Sequence, residues 1–255
     1  MRKIEVAVIA AVLATVVTAC GRGQDDSTFR VGSLPDSKPN AYLQNGDFTG
    51  FDNELLRAIA DREGLRLEFT ATDFATLLGQ VANGRFDIGS AGISQTDARK
   101  RIVDFSNAYN YEMLGIEATA ASAITDENSL AGKRIGVVLG TISDTWLSAN
   151  EPGARVIRFP SDAAVLGALN TSAVDGALFD RSSAELYANE YPGLRVTKSI
   201  NTLVPQGYAV RRGNGELLTK INNGLREVIA DGTWVRLHRR FEPDDEVPIE
   251  FDGNP

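Results

Sequence analysis

Cysteine and histidine are almost absent from this sequence. Its 255 residues include one cysteine, Cys20, and one histidine, His238. The chain beyond Cys20 therefore has no disulfide, and its stability has to come from an ordinary core. The composition allows such a core, because 43% of the residues are hydrophobic and 24% are charged. With no cluster of Cys and His side chains, we expect no metal site.

Positive charge is also in short supply. The chain has 26 basic and 34 acidic side chains, which gives a formal net charge of −8 at pH 7. Nucleic acids and anionic lipid surfaces attract positively charged proteins, so neither has an electrostatic reason to bind this one. We expect no nucleic acid among its partners.

The apolar run near the N-terminus is too short to cross a bilayer. It covers residues 6–17, whereas a membrane-spanning helix needs about 20 residues. It follows the basic residues Arg2 and Lys3, as the hydrophobic region of an export signal does. The sequence therefore predicts an exported protein.

Cys20 comes directly after this run, in the sequence Val-Thr-Ala-Cys at 17–20. This segment resembles the bacterial lipobox, whose cysteine is acylated and becomes the first residue of the mature protein. The resemblance implies a signal peptide at 1–19, lipidation of Cys20 and a flexible polar tether at 20–27. The protein would then be held by its lipid on the extracytoplasmic face of the cell membrane. The alternative is a plain secretory signal in which the cysteine has no role.

Strand-like and helix-like segments alternate along the rest of the chain, which is typical of βαβ units with largely parallel sheets. Residues 115–128 show no helical stripe and separate two such blocks. The tail beyond Phe241, with six acids and no base, is predicted to be loose. Apolar residues at helical spacing predict helices that include those at 53–62, 143–149, 162–169 and 181–189.

Six segments carry a family resemblance that covers most of the chain. One reads Gly-Phe-Asp-Asn-Glu at 50–54 and another Val-Asp-Phe-Ser-Asn-Ala-Tyr at 103–109; the others lie at 87–99, 130–141, 174–180 and 230–233. In this order and spacing they resemble the bacterial extracellular solute-binding proteins of family 3, the substrate-binding lipoproteins of polar amino acid ABC transporters. Two positions depart from the family pattern, because Ala108 replaces its usual proline and Asn53 its usual apolar residue.

The resemblance implies an α/β, two-lobed fold of the periplasmic-binding-protein type II, with two βαβ lobes joined by two crossover segments. Lobe 1 would comprise residues 28–115 and 207–255, and lobe 2 residues 116–206. The ligand, an amino acid or a close analogue, would be enclosed between the lobes and passed to the permease subunits of an ABC importer. The resemblance also implies a monomer that needs no cofactor.

Two other functions use the same fold. A ligand sensor would signal to a membrane partner instead of supplying a permease, and the sequence does not separate the two. Some relatives are enzymes, but His238 lies on the last predicted helix, so no histidine is available to activate a nucleophile in the cleft. Acid–base chemistry by Asp and Glu stays open. We expect a binding protein and not an enzyme.

The two charged ends of a free α-amino acid require opposite charges in the protein. Arg99 can hold a carboxylate with two parallel hydrogen bonds, and it matches the arginine that does so in the family. Asp180 ends an apolar strand at the point where the family has its ammonium-binding aspartate. Each has a plainer alternative: Arg99 as a surface residue of a short helix, and Asp180 as a helix cap.

Four further residues are expected at the ligand. By resemblance, the Ser94 hydroxyl donates to the ligand carboxylate and the Gly92 carbonyl accepts from the ammonium. Both residues could also form the turn before the N-cap Thr96, a role that does not exclude binding. Thr141 precedes a helix whose N-terminal N–H groups favour an anion, or it is only a cap of that helix. Phe74 matches an apolar position that packs on the ligand, although a core role is equally open.

Apolar residues predict the kind of side chain that the ligand carries. Leu34, Phe74, Val138 and Ile142 fall where relatives choose between side chains. A charged side chain enclosed by these residues would lose its hydration without gaining a partner, which is costly. The sequence therefore predicts a ligand with a neutral side chain.

Overall fold

The computed structural model describes residues 28–253. The predictions that concern the signal peptide, Cys20 and the tether fall on residues 1–27 and lie outside the described residues. Within 28–253, no helix is both long and apolar enough to span a membrane.

Two separate parts of the described chain build a first five-stranded sheet. Its strands are β1 (Thr28–Ser33), β5 (Arg66–Ala71), β6 (Ile88–Ser90), β7 (Val103–Phe105) and β13 (Ala209–Arg211). In the order β5-β1-β6-β13-β7, β1 pairs in parallel with both of its neighbours, and β13 pairs antiparallel with β6 and β7. A small antiparallel sheet follows β1 and contains β2 (Asp36–Ser37), β3 (Ala41–Gln44) and β4 (Asp47–Thr49).

Helices pack on this first sheet and on one another. They are α1 (Phe51–Glu63), α2 (Phe74–Ala82), α3 (Asp97–Lys100), α7 (Gly215–Ala230) and α8 (Thr233–Phe241). Leu55, Leu56 and Ile59 share one face of α1, and this face is fully buried in a core to which α7 also contributes. The helix ends at Glu63 and is capped by Gly64, whose φ of 64° lies in the left-handed region that favours glycine.

Asn53 of α1, which stands where the family usually has an apolar residue, is fully buried. Both its amide oxygen and its amide nitrogen form hydrogen bonds. Its Oδ1 accepts from the hydroxyls of Ser33 at 3.0 Å and Ser90 at 2.9 Å, and its Nδ2 donates to the carbonyl of Thr49 at 3.0 Å. Ser33 ends β1 and Ser90 ends β6. A hydrogen-bonded amide therefore replaces apolar packing at the ends of these two strands.

A second five-stranded sheet carries the middle of the chain. It consists of β8 (Asn110–Thr119), β9 (Arg134–Val138), β10 (Arg155–Phe159), β11 (Gly176–Asp180) and β12 (Leu194–Gln206), in the order β10-β9-β11-β8-β12. β9 pairs in parallel with β10 and β11, whereas β8 pairs antiparallel with β11 and β12. Its helices are α4 (Ile142–Asn150), α5 (Asp162–Asn170) and α6 (Arg181–Glu190).

The chain passes between the two sheets twice, before β8 and after β12. The predicted α/β, two-lobed fold class is therefore confirmed. The limits of the lobes at 115/116 and 206/207 stay a prediction. β8 contains residue 115 and already pairs with β12 of the second sheet from Asn110 onward.

Two sequence-based expectations about local structure are wrong. The first five residues of the segment 115–128, which was expected to separate two blocks, belong to β8, which continues to Thr119. This strand lies between β11 and β12 and is largely buried, so it lacks the one-sided pattern that marks an exposed strand.

The acidic tail beyond Phe241 is not loose over its described part. It forms a short 3-10 helix at Ile249–Phe251, in which Phe251 is 4% exposed. The ring of Phe251 stacks on Trp234 of α8, with 4.9 Å between the ring centroids. Burial of this aromatic ring outweighs the acidic composition on which the expectation rested.

Candidate functional site

A cavity between the two lobes brings together all six residues that the sequence predicts at the ligand. The empty space between its lining atoms is about 470 Å³, and this figure includes its opening to solvent. The predicted residues are Phe74, Gly92, Ser94, Arg99, Thr141 and Asp180. Residues that the sequence did not single out as contacts complete the lining, among them Ser37, Glu112, Asp162 and Ser183.

Arg99 is a buried residue that reaches from one lobe to the other. It lies on α3 and is 9% exposed, so it is not the ordinary surface arginine of the alternative interpretation. Its Nη1 donates to the carbonyl of Ser94 at 2.8 Å, and its Nη2 donates to the carbonyl of Gly140 in the second lobe at 3.1 Å. The guanidinium carbon lies 5.0 Å from the centroid of the Phe74 ring. Two backbone carbonyls and an aromatic face thus orient a positive charge at the cavity wall.

Asp180 does not cap the helix that follows it. It occupies the residue before α6, but its side chain makes no capping hydrogen bond. Its Oδ2 instead accepts from the amide of Asn40 in the first lobe at 3.5 Å. Burial raises the pKa of Asp180 well above its usual value, and the negative charge of Glu112 raises it further. This geometry leaves the carboxylate available to a cation in the cavity.

Glu112 lines the cavity although the sequence did not predict it there. It lies on β8 and is 1% exposed; its Oε2 accepts from the Ser94 hydroxyl at 2.6 Å and from the Gln206 amide at 3.0 Å. Its Oε1 accepts from no N–H or hydroxyl within the described part of the chain, but a hydrogen bond with the carboxyl group of Asp180 lowers the pKa of Glu112 against the effect of burial. Burial raises the pKa of Glu112. The Ser94 hydroxyl therefore donates to a protein carboxylate here, whereas the family resemblance assigned it to the ligand carboxylate.

Gly92 adopts a backbone conformation that other residues rarely adopt, with a φ of 54°. A Cβ at this position would lie 3.7 Å from Asp180 and 3.4 Å from the amide nitrogen of Gln206. The Gly92 N–H donates to the carboxylate of Asp52, whose pKa is raised by burial to about 7. Asp52 belongs to the Gly-Phe-Asp segment, so this contact gives part of that motif a structural role beside the cavity.

Thr141 is a helix cap in this structure. Its hydroxyl accepts from the N–H of Asp144 at 3.3 Å and donates to the carbonyl of Val138 at 2.8 Å. Any contact of this helix end with an anion would therefore come from the first N–H groups of α4, which have no partner inside the helix. Ile142 and Ser143 carry such groups and line the cavity.

The wall expected to select a neutral side chain is not entirely apolar. Leu34, Phe74, Val138 and Ile142 do line the cavity together, but Asp162 lies with them. Asp162 is the first residue of α5, and an acid in the first turn of a helix has an ordinary explanation in the helix dipole. Its position in the sequence therefore does not predict that it lines the cavity. Its presence removes the physical argument against a charged side chain.

One other group of side chains has the composition of a cation site. His238, Glu242 and Asp245 offer ligand atoms within 4.8 Å of one another. Asp245 already pairs with Arg181 at 2.5 Å, and the guanidinium would repel a further cation. His238 is not among the residues that line the ligand cavity. We assign no metal to this group, and the absence of a metal site stays a prediction.

Comparison with known proteins places this architecture in a family. The sequence model of the family 'Bacterial extracellular solute-binding proteins, family 3' matches residues 29–243. The chain belongs to this family. Its two lobes and the cavity between them are thus those of a solute-binding protein.

Individual relatives agree with this assignment. The Probable amino-acid-binding protein YxeM of Bacillus subtilis is 29% identical over 258 residues, which cover 96% of this chain and 97% of YxeM. The solved structure of an ancestral arginine-binding protein bound to arginine has 32% identity and a TM-score of 0.80, over 84% of this chain and 98% of its own. An ancestral amino acid-binding protein described as a precursor of cyclohexadienyl dehydratase has 31% identity and a TM-score of 0.78, over 84% and 95%. All three relatives are named as binding proteins, and the last one is described as the precursor of an enzyme.

Proposed function

We propose that this protein binds an α-amino acid between its two lobes and delivers it to the permease of an ABC importer. The observation that carries the proposal is that Arg99, Asp180 and Glu112 line one cavity between the lobes. A guanidinium and carboxylates in one enclosed space complement the carboxylate and ammonium of an amino acid. Membership of the solute-binding family and the names of the relatives support this ligand class.

In this proposal the protein acts as a monomer, needs no cofactor and catalyses no reaction. Contacts between the lobes support a closed, ligand-enclosing state. Besides the bond from Arg99 to Gly140, the ammonium of Lys38 lies 3.0 Å from the carboxylate of Glu190.

Calorimetry tests the proposal directly. The purified protein is unfolded and refolded to remove any bound ligand and then titrated with the twenty amino acids. At least one is expected to bind near 1 μM, which corresponds to roughly 8 kcal/mol. The amino acid that binds is compared with its carboxamide and its Nα-acetyl derivative, each of which lacks one of the two charges. Equal affinity for all three compounds would show that Arg99 and Asp180 do not hold the charged ends.

Anchoring by lipid is the second part of the proposal and rests on Cys20 and the residues before it. Wild-type protein expressed in a bacterium is expected in the membrane fraction, and Cys20→Ser is expected in the soluble exported fraction with an unchanged melting temperature. Wild-type protein that is already soluble and cleaved elsewhere would contradict the lipid anchor without affecting the ligand site.

A further inference from the structure

Asp162 lines the ligand cavity together with Leu34, Phe74, Val138 and Ile142, the residues that the sequence predicts around the side chain of the ligand. It is 8% exposed, and its Oδ2 accepts from the hydroxyl of Tyr187 at 2.8 Å. No lysine or arginine within residues 28–253 forms an ion pair with it. Burial raises the pKa of Asp162 to about 7. An enclosed carboxylate without a cation is unfavourable, so the group gains from a positive partner.

A second, acidic chamber shares part of its lining with the ligand cavity. Leu34, Phe74 and Val138 line both spaces. The second chamber has a volume of about 660 Å³ including its opening, and its lining contains three acids and no base. Asp162 lines both spaces, whereas Asp36 and Asp73 line only the second.

Asp36 and Asp73 accept hydrogen bonds from the backbone of nearby helices. Asp36 accepts from the N–H of Ala163 at 3.0 Å, and Asp73 accepts from the N–H of Thr76 at 2.9 Å. Each therefore satisfies an N–H group in the first turn of a helix, Asp36 in α5 and Asp73 in α2. They nevertheless leave the chamber negative, because a helix N-terminus contributes only about half a unit of positive charge. Asp162 is the acid that has a surface on the ligand cavity itself.

The charges that line the ligand cavity are unbalanced. Arg99 is its only basic residue, whereas Glu112, Asp162 and Asp180 are acidic. The carboxylate and ammonium of an amino acid add one charge of each sign, so they do not offset the excess of acidic residues, and the ammonium favours the ionised form of Glu112 and Asp180. A positive side chain would reduce this excess, and Leu34, Phe74 and Val138 of the same lining suit the aliphatic part of a long one.

We propose that the ligand is an α-amino acid whose side chain carries a positive charge, and that this charge lies against Asp162. This inference rests on the proposed amino-acid-binding function and replaces the neutral side chain that the sequence predicts. The apolar residues keep their role, because they would contact the methylene groups between the two charged ends.

Matched pairs of ligands test the inference. Arginine and citrulline have the same shape and differ in the charge at the end of the side chain; lysine and norleucine form a second pair. Calorimetry on the refolded wild-type protein is expected to show the charged member binding at least about 30-fold more tightly in at least one pair. In Asp162→Asn this preference should fall to below about threefold, while the affinity for the neutral member changes little. Asp61→Asn makes the same change of charge at an exposed position on α1 and should keep the wild-type preference.

The outcomes separate this inference from the proposed function. Tightest binding of a neutral or acidic amino acid would overturn the inference and leave the amino-acid-binding function standing. A preference for the charged member that Asp162→Asn does not reduce would overturn the role of Asp162. If none of the twenty amino acids binds to refolded protein with a normal melting transition, the proposed function itself fails.

Discussion

Strand β8 carries two buried glutamates whose surroundings differ. Near the start of the strand, Glu112 lines the ligand cavity and accepts hydrogen bonds from Ser94 and Gln206. Farther along, Glu117 is fully buried, and neither of its carboxylate oxygens has a hydrogen-bond partner within residues 28–253. A carboxylate beside a cavity can be paired with a cation of the ligand, whereas one inside the core can only take up a proton. Acids at the cavity are therefore expected to change affinity, and the acid in the core is expected to change stability.

The largest effect is expected where the charges of the cavity meet the charges of the ligand. Arg99→Ala removes the only basic residue of the cavity lining and leaves the ligand carboxylate buried without its partner. The expected loss is on the order of 3–5 kcal/mol, which is roughly a hundredfold or more in affinity. Asp180→Asn should cause a loss of similar size through the ammonium. Both are measured by calorimetry with the tightest-binding amino acid.

A neighbouring arginine provides the control for this experiment. Arg101→Ala changes an exposed residue at the end of the same short helix, α3, and is expected to leave the affinity unchanged. If Arg99→Ala and Asp180→Asn also bind normally, the ligand does not use this cavity, and the contrast between cavity acids and core acids loses its basis.

The sequence predicts the residues for the carboxylate and ammonium of the ligand, but it does not predict the two further acids of the cavity. Gly92 and Arg99 follow β6, and Asp180 ends β11. All three lie in segments that resemble a family, so both their chemistry and their meeting place can be expected. Glu112 and Asp162 have no such signal. An acid within a strand or in the first turn of a helix is ordinary by itself. Only the packing of the two lobes brings both acids to one cavity.

The fold shows the same division between what a local pattern predicts and what packing decides. The helices at 53–62, 143–149, 162–169 and 181–189 form close to their predicted limits, because an apolar face at helical spacing needs no further information. The long strand β8 and the packing of Phe251 on Trp234 depend on neighbours that are distant in sequence. No window of sequence contains those neighbours.

The second prediction concerns the acid in the core. Burial raises the pKa of Glu117 from 4.5 to about 8, so the folded protein holds a proton there that the unfolded chain has already lost at neutral pH. The folded pKa is the higher one, and the free energy of unfolding therefore falls as the pH rises from about 4.5 to about 8. Glu117→Gln removes this loss and is expected to stabilise the protein at pH 7 by on the order of 3 kcal/mol.

Denaturant unfolding at several pH values measures this effect. The gain from Glu117→Gln should shrink toward pH 5, where Glu117 is protonated in the folded state at little cost. The affinity for the amino acid should stay at the wild-type value, because Glu117 does not line the ligand cavity. A gain that is the same at every pH would mean that Glu117 is not held protonated.

The smallest effect is expected for the other glutamate of β8. Burial raises the pKa of Glu112 and of Asp180, and the charge of Glu112 raises that of Asp180 further, so the empty pair is expected to share a proton at neutral pH. An ammonium favours the ionised form of both carboxylates, so ligand binding should release this proton and the affinity should rise with pH.

Glu112→Gln removes one acid of the pair, and the pKa of Asp180 should then fall toward its usual range. The affinity at pH 8 is expected to decrease about tenfold, or about 1.4 kcal/mol, and the rise of affinity with pH should flatten. Calorimetry in two buffers with different ionisation enthalpies measures the proton release itself, with Glu117→Gln as the control on the same strand. If Glu112→Gln keeps the wild-type proton release, or if Glu117→Gln abolishes it equally, then the position of an acid along β8 does not decide whether it acts on the ligand or on stability.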